Sequence, residues 1–356
     1  MQFLHVLESL VAGGIETTFL NTLRAMRVAS PDDRHQILAF AGGFLEPDFR
    51  AAAHQLFVAP DPETLVAALE GGHDVVHVLF DRCAYRLLPY ACACSRAALV
   101  YSKGYDLSGT LRVNRGLEWR ADDALLAACD AVTFTTPSLA ARFHLPEGRS
   151  KALRKAADLE RFRGIPPPDD RTPPRVLCVA NVHPGKRHED LIKAFHRVRQ
   201  TREAELRLVG RASASDRARL TAQAAALGLS RSVAIVDAHS DIASELEACR
   251  VVALASSYEG VPTVLLEAMS AGRPVVATNV GHVSTIIDDG VEGFLVAPGD
   301  VRRMAERLDA VLADPTLAAR LGAAGRRRSA RHDVREVALE LLAAMRDAAG
   351  RRGEAA

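Results

Sequence analysis

The chain has 356 residues, enough for two domains of ordinary size. Apolar residues make up 48% and charged residues 25%, and 45 Lys plus Arg against 44 Asp plus Glu leave a net charge of +1. This composition suits globular cores and gives no support to a nucleic-acid binder that relies on a global basic field.

The first element in chain order is residues 3–7, an apolar run that Glu8 interrupts. With no cationic lead it reads as a first strand rather than a signal peptide, and no stretch reaches the ~18 to 20 apolar residues of a membrane span. Residues 15–26 follow as an amphipathic helix with Phe19, Leu20, Leu23 and Met26 on one face. Residues 36–40, 74–80, 97–102 and 131–135 are further short apolar runs separated by helix-length segments. That alternation predicts α/β architecture, with buried parallel strands covered by helices on both faces. His77, inside one of these strands, reads as a satisfied core residue.

Residues 164–174 hold five of the 17 prolines, and such segments act as semi-rigid spacers. The alternation then restarts with strands expected at 175–180, 205–210, 233–236, 251–255 and 274–278, followed by a helical, Arg-rich and Ala-rich tail over 301–349. The expected organisation is a doubly wound domain at 1–164, a linker at 165–174 and a second doubly wound domain at 175–356, with a cleft between the two domains. Six cysteines (Cys83, Cys92, Cys94, Cys129, Cys178, Cys249) form no C-x-x-C pair and no zinc spacing. They read as buried thiols in a reducing cytosol, and a cytoplasmic location is expected.

Open parallel sheets bind ligands where strands lead into helix N-termini. The first such loop, Val11-Ala-Gly-Gly-Ile-Glu16, offers Gly13 and Gly14 for close backbone approach, although it is not the G-x-G-x-x-G of dehydrogenases. The equivalent loop of the second half, Val179-Ala-Asn-Val-His-Pro-Gly-Lys-Arg-His188, places Lys186 beside His183 and Arg187 and is not a Walker A loop. Between Ser256 and Val276 a strand ends, Glu259-Gly260-Val261-Pro262 turns, and a helix starts near Thr263. Amides around Gly260 to Val264 would form an anion site, with Thr263 a candidate cap. Glu259 and Glu267 are eight residues apart, roughly 12 Å along a helix at ~1.5 Å per residue. Glycosidase carboxylates sit ~5 to 9.5 Å apart, so this pair is expected to hold two parts of one long ligand.

On these residues the chain resembles the retaining glycosyltransferases of family 4, which have the GT-B fold of two facing Rossmann-like domains. The paired glutamates carry the resemblance. It is supported by Gly13-Gly14, Asp158-Leu-Glu-Arg-Phe162, Lys186, Leu208-Val-Gly210, Asp289-Gly-Val-Glu-Gly-Phe294 and Pro298-Gly-Asp300. The resemblance implies a nucleoside diphosphate sugar as donor and transfer of a hexosyl unit to an unidentified acceptor. It also implies C-terminal helices that cross back to the first domain. Glu267 would bind the ribose, Glu259 with Gly260, Val261, Pro262 and Thr263 the sugar and distal phosphate, and Lys186 the diphosphate. The loop Asp237-Ala-His239 would face the base.

Three departures from the family pattern stand out. Asn181 and His183 occupy the places where an arginine is common, which leaves Arg187 or Arg211 to assist the phosphates. Lys103-Gly104-Tyr105-Asp106 stands where many members carry a histidine, and His282 stands where a second glycine is usual. Lys103 is expected at the cleft, holding the sugar or neutralising an anion; the alternative is a solvent-facing lysine. No D-x-D triplet occurs, so no cofactor or metal requirement is expected. Arg112, Arg115 and Arg120 suggest a basic face suited to an anionic acceptor, a peripheral membrane contact or plain solvation. A sugar-nucleotide 2-epimerase and a non-catalytic nucleotide-sugar-binding subunit remain the alternative readings.

Overall fold

The computed structural model describes residues 1–11, 14–79, 86–87, 96–103, 126–141, 143–167, 173–237 and 241–355. The chain forms two compact units, one of residues 1–157 with 334–356 and one of residues 158–333.

In the first unit seven parallel strands make one sheet: β1 Gln2–Leu7, β2 Arg34–Ala39, β3 Gln55–Val58, β4 Val75–Leu79, β5 Ala98–Lys103, β6 Ala131–Phe134 and β7 Ser150–Ala152. Their order is β3-β2-β1-β4-β5-β6-β7, so the winding reverses between β1 and β4. The central strands carry no exposed position over Val75–Leu79 and Ala131–Phe134, as buried parallel strands should. The helix Gly14–Ala29 is the first after β1 and buries Phe19, Leu20, Leu23 and Met26, the face expected from the sequence.

The second unit repeats the plan with β8 Arg175–Val179, β9 Glu205–Val209, β10 Val233–Val236, β11 Val251–Leu254, β12 Val275–Thr278 and β13 Gly293–Val296, in the order β10-β9-β8-β11-β12-β13. Here too the winding reverses, between β8 and β11, so the loop after β8 lies at the switch point where open sheets bind ligands. Several of its helices begin on capping side chains: Ser213 accepts from the Asp216 amide, and Asp300 from that of Arg303.

Three strands escape the sequence reading: β3, β7 and β13. All lie at sheet edges, where one flank is unpaired and a segment of three or four residues suffices. The division between units also falls earlier than residues 165–174. Two arginines explain it. Arg273, fully buried, donates to the carbonyl oxygens of Leu246 at 2.6 Å and Pro166 at 2.8 Å. Arg326 donates to those of Ser270 at 3.1 Å and Ile165 at 3.0 Å. The start of the proline-rich segment is thereby fastened into the second unit.

The last helix, Val334–Ala355, belongs to the first unit. Its Ala338, Leu342, Met345 and Ala348 pack with Phe3, Val75, Ala98, Val100 and Ala131 of the sheet. Arg346 pairs with Asp33 at 2.7 Å and Arg352 with Asp130 at 3.0 Å. No helix among the described residues is long and apolar enough to cross a membrane.

Candidate functional site

The polar residues singled out in the second half converge around the carboxyl ends of β8 and β11. After β8 the chain turns through a short 3₁₀ helix, Pro184–Lys186, that His183 caps by accepting from the Gly185 amide at 3.1 Å. Arg187 then takes a left-handed conformation (φ 50°) to start the helix His188–Arg199, and its guanidinium binds Asp190 at 2.5 Å. This turn carries the Lys186 ammonium to 2.5 Å from Oε1 of Glu259. The two loops are stitched by backbone as well, because the Ser257 amide donates to the Gly185 carbonyl at 2.8 Å.

Glu259 is only 8% exposed, and its carboxylate is held from a second side by Ser256, which donates to the same Oε1 at 2.6 Å. Thr278 Oγ1 fixes Ser256 in turn by donating to its carbonyl at 2.6 Å. Gly281, at φ 55°, runs so close that a Cβ there would sit 1.7 Å from the Glu259 carbonyl oxygen. Glycine is therefore required at 281. Sequence reasoning missed Ser256 and Thr278. The i, i+3 spacing of Ser256 and Glu259 was the available signal.

The helix Thr263–Ser270 starts immediately after this turn. Its N-cap position is Pro262, and no side chain caps it; Thr263 is the first helical residue and not the cap expected of it. A proline at that place brings no hydroxyl or carboxylate to the first turn, so the positive end of the helix is left to other acceptors. Gly260, Val261, Pro262 and Thr263 are all half-buried.

Glu267 lies in the second turn of the same helix, and burial pushes its carboxyl up to about 7. Arg161 opposes that rise and Asp158 adds to it, which places the Asp158-Leu-Glu-Arg-Phe162 segment beside Glu267. A carboxyl that titrates near neutrality and sits in a half-buried position can accept hydrogen bonds from a ligand's hydroxyls when ionised.

Other expected donor contacts lie around this centre. The Arg211 amide donates to Oδ1 of Asn181 at 3.0 Å, so Asn181 braces the loop after β9 against the loop after β8, and the Arg211 side chain is exposed. Asp237, at the end of β10, is exposed and ion-paired with Arg217. His239 and Gly13 lie outside the described residues, as do Cys83, Cys92, Cys94 and the Arg112, Arg115 and Arg120 stretch. Gly14 opens the helix that follows β1, in the first unit.

Lys103 also belongs to the first unit, as the last residue of β5. At 1% exposure it is not the solvent-facing lysine of the alternative reading. Its ammonium lies 5.4 Å from the ring centroid of Phe143 and 5.7 Å from that of Tyr101. His77 is buried and hydrogen-bonded, as expected of a core residue. Cys129, Cys178 and Cys249 are buried free thiols, each pushed up to about 12 chiefly by burial, and so inert.

Two parallel doubly wound sheets, with paired glutamates and a lysine at the switch point of the second, define a two-unit Rossmann-like protein of the GT-B fold. The sequence profile of the family "Glycosyl transferases group 1" matches residues 165–328. It is 29% identical over 74% of its length to the GDP-mannose-dependent alpha-(1-6)-phosphatidylinositol monomannoside mannosyltransferase of Mycolicibacterium smegmatis, covering 75% of that protein. It is 33% identical over 65% of its length to the D-inositol 3-phosphate glycosyltransferase of Stackebrandtia nassauensis, and there it spans about half of the relative, 52%. Among solved structures, Anabaena HepE in complex with UDP superimposes with a TM-score of 0.81 at 21% identity, over 96% of this chain and 99% of that one. The sucrose-phosphate synthase of Thermosynechococcus elongatus superimposes with a TM-score of 0.79 at 19% identity, over 96% of this chain and 98% of that one.

Proposed function

We propose that the protein is a retaining glycosyltransferase that moves a hexosyl unit from a nucleoside diphosphate sugar, UDP- or GDP-linked, to an acceptor hydroxyl. The observation that carries this reading is the Lys186–Glu259 pair at 2.5 Å, set beside the uncapped start of the helix Thr263–Ser270. The relatives' names supply the donor class: one is GDP-mannose-dependent, and a structural neighbour was solved with UDP.

In the proposed reaction the bond between the anomeric carbon and the distal phosphate oxygen breaks. The departing diphosphate gains negative charge, which Lys186 and the amides of residues 260–264 neutralise. The acceptor oxygen forms its bond on the face the diphosphate leaves, and its proton passes to the departing phosphate oxygen. Configuration at the anomeric carbon is thereby retained. Glu259 acts as a clamp: with Lys186 and Ser256 on one carboxylate oxygen, it keeps the other for sugar hydroxyls. Glu267 takes the ribose hydroxyls as an ionised carboxylate. The resident groups supply this chemistry without a bound cofactor.

The reading is tested by calorimetry with UDP, GDP and ADP, followed by mass spectrometry with the best-bound nucleotide's sugars and by NMR of the product's anomeric configuration. Saturable binding of one nucleoside diphosphate, weakened by Glu267→Ala by on the order of 1.5–3 kcal/mol, is expected. No binding of any of the three, or a product of inverted configuration, would overturn the donor assignment or the retention respectively.

A further inference from the structure

Three histidines of the first unit lie outside the site described above, and their rings join in series. His35 on β2, His5 on β1 and His77 on β4 are fully buried. His35 Nδ1 lies 2.9 Å from His5 Nε2, and His5 Nδ1 lies 3.0 Å from His77 Nδ1. The series continues from His77 Nε2 to Ser102 Oγ on β5 at 2.7 Å, and from there to Thr133 Oγ1 on β6 at 2.7 Å. One hydrogen-bonded chain thus crosses five neighbouring strands and ends on β2, next to the edge strand β3. Aromatic rings flank it. Phe3 stacks on His35 at 5.0 Å between centroids, and Phe19 lies 5.1 Å from His5 and 5.8 Å from His77.

A neutral imidazole has one N–H and one lone pair, so the chain can run in two directions. With every donor aimed toward β2, His35 Nε2 carries a buried N–H, and that atom has no partner among the described residues. With every donor aimed toward β6, His35 Nε2 is a bare lone pair and the spare hydrogen sits on the Thr133 hydroxyl, which can rotate. Orphan buried N–H groups are the rarer defect, so the chain runs from β2 to β6.

The two ends of the chain meet different surroundings. Near Thr133 stand Arg154 and Lys155, and each faces an acid: Arg154 pairs with Glu340 at 2.5 Å, and Lys155 feels Glu16. At the other end His35 ties its strand to the start of β3. Its amide donates to Nδ1 of the exposed His54 at 3.0 Å, and its carbonyl accepts from the His54 amide at 2.8 Å. Asp33, Arg27 and the Met1 ammonium also face His35. Asp33 is held by the Met1 ammonium at 2.8 Å and by Arg346 at 2.7 Å, and Arg27 donates to the Ala52 carbonyl at 2.8 Å. His73 faces His5 and donates to the Ala68 carbonyl at 2.8 Å.

Burial keeps all three rings neutral, His35 at about 4 and His77 at about 3 against an ordinary 6.5, with His5 well below it. A proton on His35 Nε2 would leave a buried imidazolium whose new N–H meets no acceptor among the described residues. A proton on His54 Nδ1 would remove the acceptor of the His35 amide. Both events strike the sheet at β2 and β3. The four residues of β3, none of them buried, offer the least apolar packing to resist.

We propose that this chain is an acid-sensitive lock on the β2–β3 edge of the first unit: its hydrogen bonds run from β2 to β6, and a proton arriving at His35 Nε2 releases that edge while β1, β4, β5 and β6 stay paired. The lock does not depend on the transferase reading.

Hydrogen exchange on the full chain between pH 6.5 and 4.5, corrected for its intrinsic pH dependence, tests the release strand by strand. One proton taken up per opening makes the opening constant of β2 and β3 amides rise about tenfold for each pH unit of acidification. Amides of β4, β5 and β6 should change less than about twofold per unit over the same range, since their opening leaves His35 in place. His35→Phe keeps a ring stacked on Phe3 and removes the protonation site, so the steep response of β2 and β3 should vanish. Nitrogen NMR shifts of the wild-type imidazoles at neutral pH test the direction independently. Hydrogen is expected on Nδ1 of His35, on Nδ1 of His5 and on Nε2 of His77. If His35→Phe does not fold, the wild-type shifts and the strand-by-strand exchange decide the matter. The opposite set of tautomers, equal acid response in all strands, or an unchanged response in folded His35→Phe overturns the lock.

Discussion

Both units wind a parallel sheet outward from a central pair of strands, but they handle buried polarity in different ways. The first unit strings three neutral imidazoles and two hydroxyls across its sheet, inside the core. The second keeps its strands almost wholly apolar and gathers charge at their carboxyl ends, where Lys186 meets Glu259 and Glu267 titrates near neutrality. Polar groups buried across a sheet specify a unique packing and depend on staying uncharged. Charges gathered at strand ends remain available to a ligand. One sheet is built for conditional stability, the other, on the proposed function, for binding.

Acid should separate the units most sharply. The imidazoles of His5, His35 and His77 stay neutral in the fold but take up protons in the unfolded chain below 6.5. The unfolded state then binds more protons, so stability falls as pH drops from 6.5 toward 4, by up to about 4 kcal/mol per pH unit for three such groups. The second unit has His188 at about 4 with the same sign, but Glu267 has the opposite one. Glu267 is protonated in the fold up to about 7 and ionised in the unfolded chain above its ordinary 4.5, so acidification from 7 to 4.5 stabilises that unit. Hydrogen exchange, corrected for its intrinsic pH dependence, should show residues 1–157 losing protection before residues 158–333 between pH 6.5 and 4.5. Simultaneous loss would erase the contrast.

The second unit should fail instead by losing charge. Glu259→Ala frees Lys186 and removes the proposed sugar clamp, and turnover should fall by about 10² to 10³, or roughly 2.7–4 kcal/mol, with the histidine chain undisturbed. Steady-state kinetics beside a melting curve measure both effects; turnover within a factor of about three of wild type would move the chemistry elsewhere. Arg273→Leu should destabilise the second unit by roughly 3 kcal/mol, because the Leu246, Pro166 and Glu247 carbonyls lose a shared buried donor. Urea unfolding followed by exchange should localise that loss to residues 158–333.

Glu267→Gln gives the smallest and most discriminating effect. Above pH 7 the wild-type fold carries a half-buried carboxylate, so the amide should raise stability by on the order of 2 kcal/mol there and by little near pH 4.5. Nucleotide affinity should fall at the same time. A stabilised variant that binds nucleotide as tightly as wild type would mark Glu267 as a strained structural group only.

Much of this was legible in the residues. Alternating apolar runs specify two parallel sheets, because a strand buried on both faces is apolar at most of its positions. Glu259, Gly260, Pro262 and Glu267 mark a strand-to-helix turn because glycine and proline punctuate chains locally. The edge strand Ser150–Ala152 escaped, since three residues with two exposed carry no periodic signal. The histidine chain escaped as well: His5, His35 and His77 lie 30 to 72 positions apart, and each alone looks like an ordinary core histidine.

Sequence by itself therefore determined the architecture, the paired glutamates and the lysine of the second unit. These follow from local periodicity and from turn chemistry within a few residues of each other. Tertiary structure alone decided which unit holds the proline-rich segment's first residues, through the buried Arg273, and which unit takes the last helix, through Phe3, Val75 and Val100. It alone also decided that Lys103 is buried beside Tyr101 and Phe143 and that three distant histidines touch. Each depends on contacts between residues far apart in the chain, which the order of strands in a sheet sets and local pattern does not.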